Sequence, residues 1–168
     1  ILENNYNSKL LKLLLGYFNK DSVDIGDLSS SIQYAASLND PSRYQNNFEF
    51  IKFAIDKFEL SNNVDLLNSL LRITAKFGQI NIINMIMDLS SDETKDQIFN
   101  NETVIMSVIF IALQNNAASN FIYRLCELNK ELINANLIKL ATKFKHYKLI
   151  LDLLELTKDS KLITMDLI

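Results

Sequence analysis

Apolar residues recur along this chain at helical spacing, in short segments that share one pattern. Each segment holds an aliphatic or aromatic pair, a spacer, and two or three more apolar residues. The five segments are Ser8–Phe18, Phe48–Phe58, Ile80–Leu89, Asn120–Leu128 and Tyr147–Leu156. Only three glycines and one proline occur in 168 residues, which leaves few positions for the tight turns of β-hairpins. The pattern predicts an all-α fold.

A second helical segment precedes each of the last four apolar segments, which indicates helix pairs. Small residues near the ends of these preceding segments, such as Ala35 and Ala36, would let neighbouring helices approach closely. We expect these preceding segments to be the first helices of the pairs. The segments are Ser29–Leu38, Leu67–Phe77, Val104–Gln114 and Asn136–Phe144.

Loops rich in Asn, Ser and Asp are expected between the pairs, including residues 19–30 and 59–65. Asp21 and Asn62 or Asn63 are candidate helix caps in these loops, because their side chains accept hydrogen bonds from free backbone amides. Ser90, with Glu93 three residues later, has the spacing of a capping box. We therefore expect a helix to start just after Ser90.

The paired apolar residues show the period of the pattern. They are separated by 40, 32, 39 and 28 positions, and their places are Leu10-Leu11, Phe50-Ile51, Ile82-Ile83, Phe121-Ile122 and Leu149-Ile150. The two longer steps contain an insertion at residues 40–47 and a segment at residues 90–102 that we expect to form an extra turn or short helix. A period in the thirties with two helices per unit predicts a helical-repeat solenoid.

Residues 74–89, "TAKFGQINIINMIMDL", have an echo 67 positions later in "ATKFKHYKLILDLLEL". These segments resemble ankyrin repeats, because they contain two small residues, an inter-helix Gly78 and an aliphatic second helix. In the last unit, Lys145 occupies the position of the glycine. The resemblance implies ankyrin-like helix pairs over residues 1–168, as a single domain of a longer protein. Tetratricopeptide and HEAT repeats have similar periods and stay open as alternatives, as does an unrelated bundle.

The ankyrin resemblance also implies a binding surface, because first helices and finger loops line the concave face that holds protein partners in that family. Polar and basic residues recur on the predicted first helices, and an aromatic residue follows the last lysine in two units. Residues in the insertion at 40–47 are further candidates, since insertions in repeat arrays often map to the binding face. The candidate set is Gln33, Arg43, Tyr44, Arg72, Lys76, Phe77, Lys139, Lys143 and Phe144.

A basic track with aromatic residues would suit a partner protein with an acidic patch. The competing interpretation is that the lysines are merely solvated and that Phe77 and Phe144 pack between helices. The formal net charge of −3 argues against nucleic acid as a general partner. The strongly apolar stretch Val104–Leu113 would span about 15 Å as a helix, half of a bilayer's hydrocarbon, so we expect it to be buried in protein.

Catalytic and metal-binding patterns are weak in this sequence. Cys126 and His146 are the only Cys and His, and we expect a buried thiol and a surface imidazole rather than a nucleophile–base pair. Zinc spacings and phosphate-binding glycine loops are absent from the sequence. The acidic stretch "SSDETKD" (residues 90–96) could contact a metal or be phosphorylated, but helix capping explains it more simply.

These observations favour a non-catalytic scaffold for protein–protein interaction, with no cofactor. A single Cys is easiest to reconcile with a reducing compartment such as the cytoplasm. A composition rich in Asn, Ile, Leu and Lys is compatible with a bacterial effector acting in a host cytoplasm or a viral host-interaction protein. A regulatory or targeting domain of a larger enzyme and a ligand-binding helical bundle are the alternatives.

Overall fold

The computed structural model describes residues 16–17, 23–37, 44–115 and 119–157. These ranges contain nine α-helices of eight residues or more and no strand, so the all-α prediction is confirmed for them. The helices are α1 (Ile25–Ser37), α2 (Tyr44–Lys57), α3 (Val64–Ala75), α4 (Ile80–Leu89), α5 (Asp92–Phe99), α6 (Glu102–Gln114), α7 (Ser119–Leu128), α8 (Ala135–Lys143) and α9 (Tyr147–Thr157). Two 3₁₀ turns, Leu60–Asn62 and Lys130–Leu132, precede α3 and α8.

The helices pack in pairs, and the pairs contact one another in chain order. We call α1, α3, α6 and α8 the first helices, and α2, α4, α7 and α9 the second helices. Each first helix contacts the second helix that follows it, and also the next first helix along the chain. The second helices contact one another in the same order. Helix α5 is the extra element expected in residues 90–102, and it contacts α3 and α6.

The paired apolar residues form the centre of the core, as their spacing predicts. Seven of the eight that the structure describes are buried, and Ile150 is half-buried. Leu10 and Leu11 lie outside the described residues. Helix α6 has neighbours on several sides, namely α3, α5, α7 and α8, and five of its apolar side chains are buried. This position explains the unusual apolarity of the segment.

An asparagine starts three of the first helices. Its side-chain oxygen accepts a hydrogen bond from the backbone amide three residues later: Asn63 from Leu66 at 3.0 Å, Asn101 from Val104 at 3.2 Å, and Asn134 from Leu137 at 3.1 Å. Each bond satisfies one of the amides that a helix start leaves free. The cap prediction at Asn63 is confirmed, and the repetition of the cap fixes the start of the first helix in these pairs.

The predicted loop at residues 19–30 is wrong in its second half, because α1 begins at Ile25. The serine-rich start of this helix looks like a loop in the sequence. In the structure, the Ser30 and Ser31 hydroxyls donate to the backbone carbonyls of Gly26 and Asp27, both at 2.9 Å. Serines that bond to the preceding turn are accommodated inside a helix.

The capping box predicted at Ser90 is also wrong, by one residue. Ser91 is the N-cap of α5, and its hydroxyl accepts from the Thr94 amide at 3.3 Å. Ser90 is buried instead. Asn62 explains the choice of Ser91, because its side-chain oxygen accepts from the Ser91 amide at 2.9 Å and from the Thr94 hydroxyl at 3.0 Å. A residue 29 positions earlier therefore positions the start of this helix.

The turns after α3 and α8 have the same backbone geometry, 67 positions apart. Gly78 and Lys145 both have left-handed conformations, with φ of 64° and 60°. In both turns the next amide reaches back five residues, from Gln79 to the Thr74 carbonyl at 3.2 Å and from His146 to the Ala141 carbonyl at 2.9 Å. This is the Schellman pattern of helix ends. The echo seen in the sequence thus corresponds to a repeated turn.

Replacing Lys145 with glycine is expected to raise the free energy of unfolding by about 0.5–1 kcal/mol. A non-glycine residue in the left-handed region costs about 1–2 kcal/mol, and glycine removes this strain. The greater flexibility of glycine in the unfolded chain offsets part of that stabilisation. Urea denaturation would measure the difference. The reciprocal Gly78→Lys variant should be destabilised by a similar amount. A Lys145→Gly variant less stable than the parent would contradict the interpretation.

Candidate functional site

Four of the basic residues predicted to form a binding surface are exposed on two first helices or directly after one of them. Arg72 lies in the last turn of α3, Lys76 is the C-cap residue directly after that helix, and Lys139 and Lys143 lie on α8. The ion pairs found in the described part of the chain are Lys95–Asp92 and Arg124–Glu127, so within it these four cations have no acidic partner. Arg72, Lys76 and Lys143 lie at helix C-termini, where cations complement the helix dipole, but the dipole explains neither Lys139 nor the alignment of the four cations across helices.

Helix α6, which lies between α3 and α8, presents Phe110 at the equivalent position. The buried pairs Leu70-Leu71, Val108-Ile109 and Leu137-Ile138 put the three helices in the same register. Arg72, Phe110 and Lys139 each follow the buried pair directly. Because α3 contacts α6 and α6 contacts α8, these three side chains lie on one continuous surface.

Phe110 is 39% exposed, a large fraction for a phenylalanine in a helix as apolar as α6. Its ring packs edge-to-face on Phe144, with centroids 5.7 Å apart and planes at 79°. Phe144 is half-buried, so it supports Phe110 and is only partly available for a partner. Phe110 is absent from the sequence-based candidates. Aligning the buried pairs of the first helices would have identified it.

We use the name first-helix face for the exposed positions that the structure brings together on α3, α6 and α8 and at the C-cap of α3, with one half-buried position of α1 at its margin. When the buried small residues Ala35-Ala36 of α1 are aligned with Thr74-Ala75 of α3, Gln33 has the position of Arg72. Gln33 is half-buried, however. It therefore lies at the margin. The first-helix face comprises Gln33, Arg72, Lys76, Phe110, Lys139 and Lys143.

Four predicted binding residues are not part of the first-helix face: Phe144, which supports Phe110 as described above, and the three that follow. Arg43 lies outside the described residues, and Tyr44 begins α2 with a side chain that the structure does not describe. Phe77 is half-buried at the α3–α4 turn, where it lines a cleft of about 280 Å³ together with Phe48 and Ile80. This placement fits the packing interpretation of Phe77.

Cys126 is buried in α7, as predicted. Burial raises the pKa of its thiol to about 12, because the thiolate is poorly solvated there. A nucleophilic cysteine needs the opposite shift, since the thiolate is the reactive form. The environment of Cys126 thus suits a small apolar side chain that fills space in the core.

The prediction of a surface histidine is wrong. His146 is only 8% exposed, and its Nε2 lies 2.8 Å from the carbonyl oxygen of Leu113. Because a carbonyl can only accept, Nε2 must carry the proton and donate it. The interaction joins the α8–α9 turn to the C-terminal end of α6, where carbonyls lack helical partners. His146 therefore has a structural role between two helix pairs.

The acidic stretch at residues 90–96 serves the start of α5. Ser91 caps the helix, and Asp92 forms an ion pair with Lys95 at 3.1 Å. Across the described ranges, no group of three or more His, Cys, Asp or Glu side chains is arranged to hold a metal ion. None of the helices described is both long enough and apolar enough to cross a bilayer.

Comparison of the chain with protein-family models, with curated proteins and with solved structures finds no match in any of the three. The ankyrin resemblance therefore rests on the residues quoted for it and stays a prediction.

Proposed function

We propose that this chain is a non-catalytic scaffold of ankyrin-like helix pairs that binds a partner protein through its first-helix face. Packing of consecutive pairs in chain order supports a helical-repeat solenoid, because each pair covers the apolar side of its neighbours. The repeated left-handed turn at Gly78 and Lys145 supports the assignment of equivalent units.

Exposed Phe110 between aligned cations is the observation that carries the proposal. A solvated helix surface has no need of an exposed aromatic ring, and binding energy at protein interfaces concentrates in aromatic and arginine side chains. Arg72 and Lys139 flank Phe110 on the neighbouring helices and have no acidic partner in the described part of the chain. They are free to pair with acidic groups of another protein.

The complementary partner is a segment that carries carboxylates on both sides of an apolar side chain. The apolar group would cover Phe110, and the carboxylates would reach the cations of α3 and α8. Because the helices hold these side chains on a packed core, little order has to be gained on binding. Recognition by a rigid surface of this kind needs neither catalysis nor a cofactor.

A phage-displayed library of random peptides, selected on the immobilised chain, tests the proposal. We expect the enriched peptides to contain Asp or Glu near an aliphatic or aromatic residue. Binding should fall by about tenfold or more in Arg72→Glu, Phe110→Ala and Lys139→Glu, the range typical of interface hot spots.

Lys52→Glu on α2 and Lys148→Glu on α9 are matched controls, because both lysines are exposed on second helices. They should leave the affinity within about twofold. Thermal unfolding by circular dichroism would verify that each variant is folded. Enriched peptides without acidic residues, or equal binding by the parent and Arg72→Glu, would show that the first-helix face is not the binding surface.

A further inference from the structure

A second surface lies on the other row of helices, in the grooves between consecutive second helices. The buried residues Ile86, Leu125 and Leu153 occupy the same register in α4, α7 and α9. The groove between α4 and α7 and the groove between α7 and α9 can therefore be compared position by position. We call them the α4–α7 groove and the α7–α9 groove.

In the α4–α7 groove the chain supplies its own guanidinium group. Arg124 Nε donates to Asn84 Oδ1 across the groove at 3.2 Å, and Arg124 Nη1 donates to Glu127 Oε2 one helical turn later, also at 3.2 Å. The cation is thus held by an acceptor on the preceding helix and a carboxylate on its own helix. Such charge-assisted contacts are geometrically specific for arginine.

The α7–α9 groove has hydrogen-bond acceptors at the same positions as the α4–α7 groove, but it has no cationic residue that corresponds to Arg124. Glu155 has the position of Glu127, Tyr123 has the position of Asn84, and Asp152 replaces Arg124. Asn120, Tyr123, Asp152, Glu155 and Leu156 together line a cleft of about 540 Å³. Where one groove balances a carboxylate with a guanidinium, the other contains two carboxylates.

Neither carboxylate of the α7–α9 groove is neutralised by the described chain. Asp152 and Glu155 form no ion pair there, although Lys148 is exposed one turn before Asp152 on the same helix. Tyr123 is half-buried and adds an aromatic ring to the wall, against which a guanidinium plane can stack. The α7–α9 groove thus offers negative charge, hydrogen-bond acceptors and an aromatic ring. All three suit a guanidinium group, which is the group that Arg124 places in the α4–α7 groove.

We propose that the α7–α9 groove binds an arginine side chain of a partner protein, which takes the place that Arg124 has in the α4–α7 groove. The carboxylates of Asp152 and Glu155 would accept from the guanidinium, the Tyr123 ring would cover one of its faces, and Leu156 would contact its aliphatic stem. This site is separate from the first-helix face and opposite to it in charge, so it does not depend on the proposed function.

Titration of the isotope-labelled chain with acetyl-Gly-Arg-Gly-amide, followed by NMR, tests the assignment. Amide shifts should saturate and concentrate at Asn120, Tyr123, Asp152 and Glu155. The matched citrulline peptide, which lacks the positive charge, should produce no saturable shift. Added salt should weaken binding, because the pair is partly exposed.

Asp152→Asn is expected to reduce the association constant about threefold to fivefold, the effect of one partly exposed ion pair. Asp152→Arg should abolish binding by filling the groove from within. Asp88→Asn, which changes an exposed carboxylate on α4, and Arg72→Glu on the first-helix face should both leave binding unchanged.

An equal response to the arginine and citrulline peptides, shifts centred elsewhere, or full affinity in Asp152→Asn would overturn the proposal. Tighter binding of free arginine than of the peptide would identify a small-molecule site and reject a protein partner. Because Arg72→Glu changes only the first-helix face, it also separates failure of this site from failure of the proposed function.

Discussion

Replacing Phe121 with alanine is expected to lower the free energy of unfolding by about 3–5 kcal/mol, the usual cost of removing a buried aromatic ring. Phe121 is 0% exposed and heads the largest fully buried side chains. Its helix, α7, contacts α4, α6 and α9, so the resulting cavity would lie where three neighbouring pairs meet. Since small domains are stable by about 5–15 kcal/mol, the loss is a large fraction of the total.

Urea denaturation followed by circular dichroism would measure the loss, with Tyr147→Ala as the matched control. Tyr147 is an aromatic residue at the start of the next second helix, but it is 60% exposed. Its replacement should change stability by less than about 0.5 kcal/mol. Equal effects of the two substitutions, or a loss below about 1 kcal/mol for Phe121→Ala, would mean that the second helices are not packed as a row.

Three of the four second helices could be predicted closely from the sequence, whereas α2 begins at Tyr44, four residues before the expected Phe48 and inside the predicted insertion at 40–47. Ile80–Leu89 was expected and is the observed α4, and the boundaries of α7 and α9 differ from the prediction by one residue each. These helices bury one face against a neighbouring pair, so their apolar residues follow the helical period strongly. Burial of Ile83 and Leu153 agrees with that reasoning, while Leu14 lies outside the described residues.

Helix starts were harder to predict, because side chain–backbone hydrogen bonds decide them. The first helix α3 was expected to start at Leu67. It begins three residues earlier, at Val64, because the Asn63 side chain caps it there. The cap recurs at Asn101 and Asn134, so a capping asparagine is a sequence signal for the starts of α3, α6 and α8. The position of Ser91 depends instead on Asn62, 29 residues earlier, and this contact is not visible in local sequence.

The candidate surface could be predicted in part. Arg72, Lys76, Lys139 and Lys143 are exposed as their spacing indicates. Phe110 was missed because almost every residue near it in α6 is apolar, so the period does not show which one faces solvent. His146 was misplaced because polar turn residues are usually exposed, and its partner is a carbonyl 33 positions earlier. Long-range packing decides both cases.

Replacing His146 with alanine is expected to lower the free energy of unfolding by about 1–3 kcal/mol. The substitution leaves the Leu113 carbonyl without this donor in a buried place, and the loss of a buried partner costs about that much. The contact joins the α8–α9 turn to α6 of the preceding pair, so the effect should include looser packing between the pairs. Urea denaturation and hydrogen exchange of the α6 C-terminal amides would measure it.

His146→Gln separates the hydrogen bond from the shape of the ring. Gln79 occupies the equivalent position of the other left-handed turn, so glutamine is compatible with this backbone, and its amide can donate to the Leu113 carbonyl. We expect it to recover about half of the stability that His146→Ala loses. Equal losses in the two variants would show that ring packing holds the turn, and a loss below about 0.5 kcal/mol in His146→Ala would contradict a role for His146 between the pairs.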